Sequence, residues 1–213
     1  MSTELGLRAR KKQQTREAIR QTAVRLFAER GFESVTVAEV AQEANVSPGT
    51  VFNYFPTKED LFYERMEIFE DDLLRAVRER QVGETVLMAF RTFVLTVSGV
   101  LAEHDPTEQL ILFARIVTES PALLEREQQI FARYTESLAV LIADEIGAPG
   151  DDIAPVVVAN ALIGVHRELL NYVRRQALAG RTNPGLSQDV RVRGEQAFAL
   201  LEEGLGAFDI KRS

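Results

Sequence analysis

The stretch TVAEVAQEANVSPGTVFNYF, Thr36 to Phe55, leaves the chain few choices, because it holds two complete helix-start signals a few residues apart. Thr36 stands where an N-cap belongs and Glu39 follows three residues later, the spacing of a capping box in which each side chain takes up the other residue's free backbone N–H. Val35 and Val40 occupy the staple positions around that cap, and Val37, Val40, Ala41 and Ala44 recur with helical period along one apolar face. The second signal repeats the first: Ser47 caps, Pro48 fits the first helical position, and Val46 pairs with Val51 as a staple. Val51 and Phe55 then share the inward face, which leaves Pro48, Gly49, Thr50, Asn53 and Tyr54 outward. This pattern predicts a helix-turn-helix, whose second helix presents its front to base edges. Caps and periodicity alone fit a small helical subdomain with no such role equally well.

The rest of the chain also reads as helices. A first helix is expected over about Lys11 to Arg30, with Ile19, Ala23, Leu26 and Phe27 on one face and Gly31 closing it. Pro56 ends the second short helix, and Thr57 with Asp60 forms another capping box that opens a helix reaching about Arg80. Amphipathic helices follow from Val86 to about His104, Asp105 and Pro106, around Leu110 to Val117, and from Pro121 to Gly147. Within Asp151 to Ala179, the run IAPVVVANALIGV is apolar on nearly every side, so a helix there must be covered all round. Pro184 and Gly185 mark a loop before a last helix over about Ser187 to Phe208. The expected fold class is all-α, in two domains: residues 1–56, three helices with a basic arm, and residues 57–213, a helical remainder.

Charge separates these two parts. The chain carries −7 overall, yet residues 1–60 hold nine Lys and Arg against eight acids, and Arg8, Arg10, Lys11, Lys12 and Arg16 gather at the start. An acidic body with a basic end fits a DNA reader whose bulk faces away from the duplex. With no cysteine there is no disulfide framework or thiolate metal site, which suits a reducing cytoplasm. No apolar run approaches the ~20 residues that span a bilayer, and MSTELGLRARKK lacks the apolar core of a signal peptide. The expectation is a soluble cytoplasmic protein without a membrane partner.

The segment AIRQTAVRLFAERGFESVTVAEVAQEANVSPGTVFNYFPTKEDLF, Ala18 to Phe62, resembles the N-terminal domain of the TetR family of transcriptional regulators. The resemblance implies a homodimer on a double-stranded, palindromic operator, its last two long helices pairing with those of a second subunit as a four-helix bundle. DNA contacts are carried over to Arg16, Thr36, Ser47, Pro48, Gly49, Thr50, Asn53, Tyr54 and Lys58. Lys58 is the informative one, because a cation in the first turn of a helix opposes its dipole, and the family's Lys at this place meets a phosphate. At Phe52 the family often has Tyr, so a hydroxyl is missing here.

The resemblance also implies a pocket for a small apolar or aromatic effector in the second domain. Phe90, Phe93, Phe113, Phe131, Tyr134, Asn160, Ile163 and Arg167 are the expected lining, although an aromatic stripe of this kind is also ordinary core. His166, with Arg91 and Arg115, is a further candidate anchor, weighed against a buried core histidine. No phosphate loop, HExxH, GxSxG or carboxylate cluster occurs, so neither catalysis nor a cofactor or metal is expected. Two functions follow: a ligand-responsive regulator, most naturally a repressor, or a constitutive or architectural DNA-binding dimer with a filled core.

Overall fold

The computed structural model describes residues 2–104, 107–181 and 185–204. Every regular element among them is an α-helix: α1 (Ser2–Arg30), α2 (Val37–Glu43), α3 (Pro48–Tyr54), α4 (Lys58–Arg78), α5 (Val86–His104), α6 (Thr107–Glu119), α7 (Pro121–Ile146), α8 (Ala154–Leu178) and α9 (Gly185–Glu203). None of the described helices is long and apolar enough to cross a membrane. The breaks expected at Asp105, Pro106 and Pro184, and the end of the last helix from Leu205 to Phe208, fall outside the described residues.

Most ends fall where the caps place them. Thr36 accepts from the Glu39 amide at 3.2 Å while the Glu39 carboxylate accepts from the Thr36 amide at 2.8 Å. Thr57 and Asp60 exchange the same pair of bonds at 3.0 and 3.2 Å ahead of α4. The Ser47 hydroxyl accepts from the Thr50 amide at 3.0 Å, with Pro48 as the first residue of α3. Gly31, at φ 80°, closes α1 in the left-handed conformation that a side chain would resist. The start of α1 differs from expectation. It begins at Ser2 rather than near Lys11, so the basic lead-in is helix, as a run of Leu, Arg, Lys and Gln with no proline favours.

The described chain forms two compact units. The first comprises the helices up to Glu67 together with Arg115–Arg126; the second comprises Ile68–Ala114 and the chain from Glu127 on. In the first, Ile19, Ala23, Phe27, Val35, Val40, Ala41, Val51 and Leu61 are fully buried, so α1 carries the apolar face onto which α2, α3 and the start of α4 pack. A seven-residue helix such as α3 has little stability of its own. Val51 and Phe55 hold it instead, each buried side chain contributing roughly 1.5–3 kcal/mol. Glu64, buried, is paired with both Arg16 and Arg20 of α1. Asp60 accepts from Arg126 at 2.7 Å, and the Tyr63 hydroxyl donates to the Leu123 carbonyl at 3.2 Å, which fasten residues 115–126 to the same unit.

In the second unit α5, α8 and α9 pack on one another. Gly194 lets α9 approach, since a Cβ there would press into the Leu95 side chain and stand 3.4 Å from Leu169 Cδ1. Leu186, Val190, Gly194 and Phe198 recur every four residues along the buried stripe of α9.

The turn between α2 and α3 is set by Asn45, at φ 54° the non-glycine residue with positive φ among those described. Its amide donates to the Gln42 carbonyl at 3.1 Å and the next amide, of Val46, donates to the Ala41 carbonyl at 2.9 Å. That pair of bonds is a Schellman closure, with asparagine in the place glycine usually takes. Asn45→Gly should therefore leave thermal stability nearly unchanged, whereas Asn45→Val, branched at Cβ, should lower it by about 1–2 kcal/mol; equal melting curves for the two variants would contradict this account of the turn.

Candidate nucleic-acid interface and interior site

Anchoring α3 by Val51 and Phe55 turns the other residues of that helix outward. Ser47, Pro48, Gly49 and Asn53 are exposed, and Thr50 and Tyr54 are half-buried. The Ser47 and Thr50 hydroxyls lie 2.8 Å apart, so the cap also orients Thr50. Phe52 is 50% exposed on the same short helix, an apolar side chain facing outward among polar ones. Thr36, at the start of α2, has its hydroxyl engaged with the Glu39 carboxylate at 2.8 Å. The Arg30 guanidinium beside Glu39, with the Thr36 bonds, holds that exposed carboxyl down to about 2.

The two expected phosphate-seeking cations rest on aromatic faces. The Lys58 ammonium sits 4.2 Å from the Phe32 ring centroid and 5.9 Å from that of Phe27. Its pKa is lowered, chiefly by burial. The Arg16 guanidinium lies 5.3 Å from the Phe55 centroid while donating to Glu64, so this residue braces α1 against α4 as well as facing the α3 end. Arg10, Lys11 and Lys12 of α1 are exposed.

Within the second unit the structure brings together Phe93, Phe131 and Tyr134 of the expected lining, and adds Phe69 and His166. Phe69 stacks on His166 with centroids 4.5 Å apart and planes 7° from parallel, and lies 5.6 Å from Tyr134 and 5.2 Å from Phe93. Phe131 meets His166 and Tyr134 edge to face, both at 5.9 Å. Phe90 belongs elsewhere, packed at 6.0 Å on Phe198 of α9. Ile163 is buried, whereas Phe113 is 41% exposed and Asn160 and Arg167 lie at the surface. The Asn160 amide donates back to the Val156 carbonyl of its own helix at 2.8 Å. Helical period explains the split on α8: Asn160 and Arg167 share a face with Val156, while Ala159, Leu162, His166 and Leu169 share the buried one. Arg91 pairs with Glu195 across α5 and α9.

Phe69 and His166 are the residues of this cluster that the aromatic stripe read from sequence leaves out. The signal for Phe69 was present in the apolar run of α4, and that for His166 in its spacing on the inner face of α8. The imidazole is 3% exposed, and its Nδ1 has no hydrogen-bond partner among the described residues. A buried polar atom left so costs about 1–3 kcal/mol.

Set beside known proteins, residues 19–64 match the family model described as bacterial regulatory proteins, tetR family. The HTH-type transcriptional regulator TcmR of Streptomyces glaucescens is 31% identical over 152 residues, 69% of this chain and 67% of that protein. This chain belongs to the TetR family. Its fold is shared by NalD of Pseudomonas aeruginosa, the secondary repressor of the MexAB-OprM multidrug efflux pump, at TM-score 0.59 and 21% identity over 88% of this chain and 96% of that one. It is shared as well by Thermus thermophilus FadR, a TetR-family repressor in complex with lauroyl-CoA, at TM-score 0.55 and 22% identity over 93% and 97% of the two chains. As a TetR-family member the chain is a DNA-binding transcriptional regulator, and α2 with α3 is its helix-turn-helix.

Burial pulls the His166 imidazole from 6.5 down to about 4, so it is neutral in the folded protein at physiological pH. The unfolded chain takes up a proton below about 6.5 and the folded one only near 4, so the stability associated with neutral burial is full above the first value and lost as pH falls through that window. Urea unfolding at pH 7 and pH 4 should show wild type losing about 3 kcal/mol more than His166→Phe; an equal loss in both would contradict the assignment.

Proposed function

We infer that this TetR-family regulator is a repressor that binds a palindromic operator as a homodimer and leaves it when a small apolar or aromatic effector enters the second unit. The observation that carries the DNA half of this reading is α3 itself: a capped helix held from behind by Val51 and Phe55, with Gly49, Thr50, Phe52, Asn53 and Tyr54 toward the outside. Gly49 admits close approach to the groove wall, and Asn53 carries the amide that pairs with two edges of adenine, a contact worth about 1–3 kcal/mol of discrimination. Lys58, Arg16 and the exposed basic residues of α1 supply the phosphate contacts that fix register without reading sequence.

The dimer reading rests on what the described residues leave uncovered. Ile153 ahead of α8, Val156, Val157 and Val158 of α8 and Val192 of α9 are all at least 40% exposed, apolar surface that a second copy of the same two helices would bury. A dimer of helix-turn-helix proteins reads half-sites about one helical turn, ~34 Å, apart. The effector reading rests on the ring cluster around His166 and on the lauroyl-CoA held by a FadR of the same fold. Lys58 and Phe69 belong to one helix, α4, so a guest that moves Phe69 acts on the helix that also carries the phosphate contact. Release requires only that the effector bind the DNA-free arrangement more tightly, and the coupling is reciprocal.

Binding to an operator selected from random duplexes should weaken with salt, each phosphate contact contributing about −0.9 to the slope of log K against log salt. Lys58→Ala should reduce that slope by roughly one contact and weaken all sequences alike, whereas Asn53→Ala should relax preference at particular base pairs. An unchanged slope in the first, or a uniform loss across sequences in the second, would remove these roles.

A further inference from the structure

The second unit holds a polar atom that its own surroundings leave unanswered. His166 is flanked by rings from two helices, Phe69 of α4 and Phe131 of α7, with Phe93 of α5 and Tyr134 of α7 packed on Phe69 in turn, and its Nδ1 is buried with no hydrogen-bond partner among the described residues. The other candidate anchors are occupied or outside: Arg91 is paired with Glu195, the Asn160 amide is bonded to its own helix, and Arg167 is exposed. Glu70, next to Phe69, accepts from Arg133 and from Ser137, both at 2.7 Å, and Glu127 of α7 is paired with Arg174 of α8.

We propose that His166 is the polar anchor of the effector site and that the effector is an uncharged aromatic molecule carrying a hydroxyl group, a phenol in the simplest case, whose hydroxyl binds Nδ1. The walls argue for the aromatic part, because ring faces and edges pair best with another ring. The uncompensated group argues for the hydroxyl. Nδ1 lies in the imidazole plane, so Phe69, which covers one face of the ring, does not meet its hydrogen-bonding direction; a partner must come to the ring edge. A hydroxyl is donor and acceptor at once and serves either tautomer of a neutral imidazole. A carboxylate would be buried without a countercharge, since burial keeps His166 neutral and the neighbouring arginines already hold acids. This assignment depends on the reading above only in taking the second unit as the one that binds the effector.

The test uses two probes that differ in the hydroxyl alone, 2-naphthol and naphthalene, titrated by fluorescence into the full-length protein. The ratio of their affinities should be about tenfold higher for wild type than for His166→Phe, which keeps the stack and removes the nitrogen, and His166→Gln, which keeps a hydrogen-bonding group, should recover part of it. His166→Leu gives the same comparison if the Phe variant does not melt cooperatively. The same ratio in wild type and variant, as a buried water on Nδ1 would give, overturns the proposal, and so does a wild type that binds neither probe. Operator binding is measured separately. A ratio left unchanged by the substitution, with operator binding intact, defeats the anchor and leaves the DNA reading standing, whereas naphthol that binds through His166 without changing operator affinity upholds the anchor and counts against effector control.

Discussion

The left-handed backbone at Asn45 is the constraint on which the DNA-reading end depends. One residue with φ 54° ends α2, satisfies two of its last carbonyls, and delivers Val46 into position to staple the start of α3. Because α3 is only seven residues long, its direction is not its own property. It comes from that turn, from the Ser47 cap behind it, and from Val51 and Phe55 packed beneath it in the core of the first unit. The outward residues are held at defined positions because everything inward is fixed.

A second constraint is the treatment of charge. Lys58 and Arg16 are held against aromatic rings, and Arg16 is also tied to Glu64. Such placement limits the freedom of two long side chains before any phosphate arrives, and so reduces the entropy that binding must remove. In the second unit the logic is reversed, with acids answered by arginines and one neutral imidazole left over among rings.

Local signals made the helix-turn-helix legible from sequence. The Thr36–Glu39 and Thr57–Asp60 boxes and the Ser47 cap ahead of Pro48 act over three residues, and the structure forms each of them, the Ser47 hydroxyl accepting from the Thr50 amide. The staple valines Val35, Val40 and Val51 are buried for the same reason, and Val46 is half-buried. Asn45 carried a readable signal too, since asparagine tolerates the left-handed region, but its role appears only when the carbonyls it serves are known. The interior of the second unit was legible only in part. Period alone put Phe90 and Phe93 on one apolar face, yet Phe90 turns to Phe198 and Phe93 to Phe69, a choice made by which helices become neighbours. The run IAPVVVANALIGV reads as apolar all round; within one chain Ala159, Leu162 and Ile163 are covered while Val156 and Val157 are not. Among the described residues nothing covers its outer half.

The central claim is that α3, aimed by the Asn45 turn, reads DNA as one of a pair in successive major grooves. Hydroxyl-radical footprinting of the protein on a selected operator tests it most directly. The account predicts two protected segments on each strand, on one face of the duplex and about one helical turn, ~34 Å, apart. A single short protected segment, or even protection along the whole fragment, would contradict it.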